Sequence, residues 1–416
     1  MHRLLDFVKS YKTIAKNTMF LSIIECVHLI MPFLALPYIL QTVGTENYGK
    51  IIFAQAIIVF FSTFIDFGVN IPAVKLVSRN RNSRMKLQLI VGSVISLKIA
   101  TFVIALLFFS AMVLLIPKYR CEWAVFFAAF LSCLGNVIFC HWFFQGIEKM
   151  LAITIVRVSS MMLYLVALFT FVRTKEQYAL IPLWQSLALI LTSLGAFLYM
   201  CFREKVIPIP RKKMFVKRFK EAIPFFLSRC SAVLNHYSGT VVVGAVLGNH
   251  SVAVYDLAKK IVNAALIPYS MLTQSVYPHN AQKRDARFAT QALLLAVGIC
   301  CVGLLALYFI SPYLIDFLSK GKLADAVPLL RFLEIHILLC SFTYYLGTPM
   351  LVAWGYSKPF NDSVIVSTAF LLITYALLYS FSINSVYVFA SVCISAEVIV
   401  LVYRGYYCFK HRIIRL

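Results

Sequence analysis

Charge is scarce in this chain, and the scarcity is lopsided. Of its 416 residues only 13% are Asp, Glu, Lys or Arg, about half the usual share of a globular domain, and 16 acids face 39 Lys and Arg. A soluble chain of this length divides into two or three domains with long polar surfaces. No stretch here has such a surface, no low-complexity linker separates the apolar runs, and the longest connection (about 203–221) is a basic one in the middle. Ten-residue alternating strands are absent too, which excludes a membrane barrel. HExxH, GxSxG, P-loop and CxxC patterns are missing, and the eight histidines are scattered. The eleven cysteines lie in or beside apolar runs at irregular spacing, as packing residues rather than disulfide partners or ligands. The sequence therefore indicates neither an enzyme nor a metal or other cofactor. A cleavable signal peptide is not evident either: the first apolar run follows four basic residues, lacks a small-residue cleavage site and continues as a full span.

What is abundant is apolar length. Hydrophobic residues make up 61% of the chain and the mean hydropathy is +0.85. The apolar runs of roughly 18–28 residues are long enough to cross a hydrocarbon core of about 30 Å. The expected fold is all-α and polytopic, with twelve spans near 19–40, 51–73, 88–116, 122–143, 151–172, 180–202, 222–247, 253–279, 289–318, 327–353, 360–381 and 385–407. With the N-terminus in the cytoplasm, 27 Lys and Arg fall on the cytoplasmic side against seven outside, so both termini are expected inside. The net charge of +23 then reads as a topology signal with attraction to anionic membrane lipids, and it needs no nucleic-acid partner.

With Arg157 and Arg404, at the span ends, counted on the cytoplasmic side, five basic residues remain within the spans: Lys98, Arg229, Lys259, Lys260 and Arg331. Each costs roughly 2.5–3.5 kcal/mol on insertion scales, so such residues face a cavity or a partner. Glu25, Asp66, Asp256, Glu334 and Glu397 are the available acids. Arg331 and Glu334 sit three apart on one helix face and are expected to neutralise each other. Asp256 is placed to hold Lys260 or Lys259, and Lys98 has no local acid. The surplus of cations suggests an aqueous cavity suited to an anion. Asp66, a carboxylate inside an apolar run, reads either as a buried structural acid or as a protonatable group coupling transport to an ion gradient.

The halves repeat weakly. "VGTENYGKIIFAQAI" (43–57) aligns with "LGNHSVAVYDLAKKI" (247–261) at an offset of 204 residues, pairing Gly44 with Gly248, Ala54 with Ala258 and Ile57 with Ile261. A shift of six spans preserves orientation, which predicts parallel repeats: an N-terminal lobe over 1–205 and a C-terminal lobe over 206–416.

The stretch "PYILQTVGTENYGKIIFAQAIIVFFSTFIDFGVN" (37–70), with "WFFQGIEKM" (142–150), "PFFLSR" (224–229) and "YP" (277–278), resembles the polysaccharide transporter branch (Wzx-type flippases) of the multidrug/oligosaccharidyl-lipid/polysaccharide exporter superfamily. Gln41 and Lys75 stand where relatives commonly carry arginines, and Phe67 where tyrosine is frequent. The resemblance implies a MATE-like arrangement of two six-helix lobes. It also implies movement of an undecaprenyl-pyrophosphate-linked oligosaccharide, an O-antigen or similar repeat unit, across the bacterial inner membrane by alternating access. Arg229, Lys259, Lys260 and Lys98 are the expected pyrophosphate contacts, Asp66 the ion-coupling candidate for H+ or Na+, and Trp142, Phe143 and Tyr237 candidate stacking platforms for sugars. Pro37, Pro72, Pro224 and Pro268 are hinge candidates, since a proline frees a carbonyl within a span. A polysaccharide polymerase and a chain-length regulator are the protein partners the resemblance suggests. Rival readings are a lipid II flippase, a cation-coupled drug exporter of the same superfamily, and, from another class, a membrane-embedded polymerase. That last class has a large external loop, and the longest external connection here is about ten residues.

Overall fold

The computed structural model describes the backbone of residues 2–381, 383 and 385–414 and, of these residues, the side chains from 26 onward except those of 28, 212, 213, 228, 278 and 283. Glu25 therefore lies outside the described side chains. The chain divides into two compact units, Met1–Val233 and Leu234–Leu416. Unit 1 holds α1 (His2–Asp66), α2 (Asn70–Arg79), α3 (Arg84–Leu115), α4 (Pro117–Arg120), α5 (Trp123–Ile138), α6 (His141–Gly146), α7 (Met150–Phe171), a 3-10 turn (Lys175–Ala179), α8 (Leu180–Phe202) and the first part of α9 (Lys212–Val246). Unit 2 holds the rest of α9, then α10 (Asn249–Lys283), α11 (Ala286–Ser319), α12 (Ala326–Tyr345) continued by a π-helical stretch (Leu346–Val352), α13 (Ser357–Ser380) and α14 (Val386–Lys410).

Among the described residues every regular element is helical, and nine helical segments are long and apolar enough to cross a membrane. The sequence led us to expect twelve. The twelve divide the first of these segments at Gly44 and add α9 and α10, which carry more polar residues than the nine.

Backbone chemistry explains the main interruptions. Gly44 breaks α1 with φ 82 and ψ 172, and Gly248 begins α10 with φ 86 and ψ −179. The two positions paired by the sequence repeat thus share one conformation, in a region essentially closed to residues with a Cβ. A Cβ would meet nothing within 4 Å at either glycine, so the backbone angle alone requires glycine there. Asn47 Nδ2 donates to Val43 O at 3.2 Å beside the first break.

The second interruption falls at Asp66-Phe67-Gly68, inside the run expected as 51–73. Phe67 (φ 43) and Gly68 (φ 66) are left-handed, and the helix stops. Its end is well satisfied: Phe67 N donates to Thr63 O at 3.1 Å, Val69 N to Asp66 O at 3.0 Å, and the Thr101 hydroxyl of α3 to Ile65 O at 2.8 Å. Pro72 consequently sits not within a continuous span but in the first turn of α2, where a missing N–H costs little. Pro37, Pro224 and Pro268 lie within α1, α9 and α10.

Other motif residues serve packing and caps. The Tyr38 hydroxyl donates at 2.6 Å to Val172 O, at the C-cap of α7. Gln55, a polar residue in an apolar run, donates to Gln185 at 2.8 Å. Trp142, Phe143 and Phe144 are fully buried in the core of unit 1 with Val69, Ala73 and Val77. Trp142 and Phe143 therefore do not offer a face to a sugar, contrary to the sequence expectation. Fitting α6 against α2 needs the first and last of these elements to touch closely: a Cβ at Gly146 would lie 2.6 Å from Val77 Cγ1. Unit 2 has its own core, in which Tyr345, Leu346, Met350 and Leu351 pack with Ala289, Leu293 and Cys408.

Candidate functional site

In unit 1 the helix break at 67–69 places the Asp66 carboxylate opposite α3. Lys98 Nζ donates to Asp66 Oδ1 at 2.7 Å, with the lysine side chain 1% exposed and the aspartate 28%. Lys98 and Thr101 share a face of α3, so one face takes both the carboxylate and a terminal carbonyl of α1. The lysine charge also sits at the negative end of the helix dipole. The Asn70 amide, the His141 ring and the Arg157 guanidinium lie near enough to the same carboxylate to act on it electrostatically. Arg157 lies over the Phe139 ring at 5.2 Å. Lys98 has no acid near it in sequence but has one in space. Its partner lies 32 residues away in sequence, on another helix.

The neighbouring residues of the same motif lock this turn to the first part of α9. Phe67 stacks on Phe219 (centroids 4.8 Å, 15°) and on Phe226 (4.6 Å, 12°). A Cβ on Gly68 would lie 2.6 Å from the Phe225 carbonyl carbon, so only glycine allows this approach. The segment "DFG" (66–68) therefore meets "PFF" (224–226), two motifs 158 residues apart. Arg229, one turn beyond, is exposed and has no ion-pair partner among the described residues.

Unit 2 holds a second cluster. Lys259 is half-buried, lies close enough to His236 and His336 to act on both electrostatically, and has no carboxylate partner among the described residues. Lys260, its neighbour, is ion-paired with Asp256 four residues earlier. Beyond His336 come Cys340 and Glu397: the Cys340 thiol and His336 Nε2 are 3.5 Å apart, and the Thr343 hydroxyl donates to Glu397. Arg404, buried in α14, donates from Nη1 to Thr343 O at 2.7 Å and from Nε to the Ser363 hydroxyl at 3.0 Å, and lies over Phe360. Arg331 and Glu334 form no ion pair among the described residues. The Arg331 guanidinium lies 4.1 Å over the Tyr308 ring and donates to Tyr308 O, because ring and carbonyl are nearer than its own helix neighbour. Tyr237 is half-buried beside His236, with ring centroids 4.7 Å apart.

Sequence reasoning missed Arg157 and Arg404 by counting both with the cytoplasmic charges, although they fall inside the ends of the spans expected over 151–172 and 385–407. Each lies inside a helix, α7 and α14 respectively. His141, His236 and His336 had no local pattern to mark them. They are brought to the two clusters only by packing.

Comparison with known proteins gives a family and a fold. The profile of the family described as "Polysaccharide biosynthesis protein" matches residues 14–284. The chain is 25% identical over 362 residues to the "Putative O-antigen transporter" of Escherichia coli (strain K12), covering 85% of this chain and 87% of that one. Among solved structures it resembles an inward-facing multidrug resistance MATE family transporter of the MOP superfamily, with a TM-score of 0.71, 15% identity, and coverage of 95% of this chain and 98% of that one. It also resembles the lipid II flippase MurJ in an inward closed conformation, with a TM-score of 0.70, 14% identity, and coverage of 95% and 87%. These two likenesses concern the fold.

Proposed function

The chain belongs to the polysaccharide biosynthesis protein family, and from that premise we propose that it is a flippase rather than an enzyme, moving an undecaprenyl-pyrophosphate-linked oligosaccharide repeat unit across the bacterial inner membrane by alternating access. Twelve spans in two six-helix lobes, 1–205 and 206–416, with both termini in the cytoplasm, belong to the same proposal. Each sugar hydroxyl stripped of water without a partner costs about 4–8 kcal/mol in hydrocarbon, so a repeat unit needs a wet path for its head while the polyprenyl tail stays in lipid.

One observation supports this reading above the others. Of the four cations expected at the site, Lys98 and Lys260 are ion-paired, whereas Arg229 and Lys259 have no carboxylate partner among the described residues. An unpaired cation within a long helix is costly unless an anion or water meets it. Arg229 in unit 1 and Lys259 in unit 2 are therefore each proposed to attract the pyrophosphate, with Lys98 and Lys260 held as structural partners of Asp66 and Asp256. Asp66 remains the coupling candidate for H+ or Na+: binding either one there weakens the hold on Lys98 and changes the contact between α1 and α3.

The test is genetic and chemical together. Without the protein, lipid-linked repeat units accumulate on the cytoplasmic face and surface polysaccharide disappears. Arg229→Gln and Lys259→Gln each lower export at least tenfold at unchanged protein level, since a unit charge about 4 Å from a phosphate oxygen contributes roughly 4 kcal/mol at an effective dielectric of 20, before screening. Lys260→Gln instead lowers the folded yield, and adding Asp256→Asn restores it. Full export by both Arg229→Gln and Lys259→Gln removes the pyrophosphate assignment. Surface polysaccharide that persists in the deletion with altered chain length removes the flippase reading.

A further inference from the structure

We propose that His336, Cys340 and Glu397 form a binding site for a divalent ion of the zinc class within unit 2. The sequence marked only Glu397 of these three, as an acid available to a cation, and offered no metal site. His336 and Cys340 are one turn apart on α12, and Glu397 comes from α14. Packing brings one imidazole nitrogen, one thiol sulfur and one carboxylate oxygen within 4.8 Å of one another.

The geometry is specific where it is sharpest. Zinc bonds of about 2.3 Å to sulfur and about 2.0 Å to nitrogen, at a tetrahedral angle, put the two donor atoms about 3.5 Å apart. The Cys340 Sγ to His336 Nε2 separation is 3.5 Å. The donors also have a supporting shell of the kind that orients ligands. The Thr343 hydroxyl donates to Glu397, and Arg404 holds the Thr343 carbonyl at 2.7 Å. His336 Nδ1 has no hydrogen-bond partner among the described residues, so structural bonds do not use up the ring.

Charge decides which ions fit. Lys259 acts on both His336 and Cys340, and Arg404 on Glu397, so a dication added to neutral ligands meets repulsion. A Cys340 thiolate with the Glu397 carboxylate contributes two negative charges, which cancel a divalent ion and leave the neighbouring cations facing a neutral centre. This favours an ion that displaces the thiol proton, as zinc and cobalt do, over hard ions such as Mg2+ or Na+ that prefer oxygen. Three protein donors leave the fourth tetrahedral position open to water.

Co2+ is the probe. Full-length protein in detergent or nanodiscs, freed of any purification tag, is titrated with Co2+ under reducing conditions. The expected result is one equivalent of four-coordinate cobalt, with strong visible d–d bands and a near-ultraviolet thiolate-to-cobalt charge-transfer band, both displaced by Zn2+. Cys340→Ser abolishes the charge-transfer band, and Glu397→Gln weakens binding at least tenfold. A plain thiol–imidazole hydrogen bond predicts no charge-transfer band, and that result, or an unchanged band in Cys340→Ser, overturns the site. Should Cys340→Ser lose its monodisperse elution, X-ray absorption on the zinc-loaded wild-type protein decides instead: one sulfur neighbour at about 2.3 Å supports the site, and none refutes it.

Discussion

Removing the negative partner of the Asp66–Lys98 pair should damage the protein more than removing the positive one. At 2.7 Å two unit charges attract by about 6 kcal/mol at an effective dielectric of 20. The consequence of losing that attraction depends on what each survivor has left. In Asp66→Asn the ammonium of Lys98, 1% exposed, keeps its charge in the interior without compensation, and breaking such a pair costs about 3–5 kcal/mol. In Lys98→Met the surviving carboxylate is 28% exposed, has the Asn70 amide nearby and lies in the field of Arg157. Its loss is closer to that of one hydrogen bond to a charged group, about 1.5–3 kcal/mol. The double variant removes both charges and should recover most of the Asp66→Asn loss. Thermal unfolding in detergent, read as the monodisperse fraction by size exclusion, ranks the four proteins. Equal damage from the two single variants, or a double variant no better than Asp66→Asn, refutes the account of the pair.

Two further expectations follow from the backbone. Gly44→Ala and Gly248→Ala each force a Cβ into the same glycine-only conformation with no neighbour in reach, so both should lose about 1–3 kcal/mol and by similar amounts; a large inequality in unfolding midpoints breaks the structural equivalence of the two repeats. Gly68→Ala adds to its left-handed angle a collision with the backbone at Phe225 and Phe226, so its folded yield should fall below that of Gly44→Ala, and a yield equal to wild type means the turn and α9 do not meet as described.

Hydropathy and turn chemistry are properties of a chain read along its length, and those features were legible in the sequence. Apolar runs, short basic connections and the composition announced a helical membrane protein before any packing was known. The Gly44–Gly248 repeat was equally legible, because the need for glycine there is local: both backbones adopt angles a Cβ forbids, with no neighbour involved. The motif "DFG" was visible as a pattern, but its work was not. Asp66 meets Lys98, Phe67 lies against Phe219 and Phe226, and Gly68 admits the α9 backbone through contacts with residues 32 to 159 positions away.

Charge shows the division most clearly. The sequence could count cations within the spans, since that count is additive along the chain. It could not say which of them were already neutralised, because pairing depends on distances across helices that no local pattern encodes. Only the Lys260–Asp256 pair, one turn apart on α10, was within its reach. Tertiary structure took Lys98 for Asp66, turned Arg331 to Tyr308 instead of Glu334, buried Arg404 in α14, and buried Trp142 and Phe143 in the core. It also gathered His336, Cys340 and Glu397 from two helices into one cluster. The sequence determined the solvent in which the chain folds; the packing of helices determined which charges remain available to a ligand.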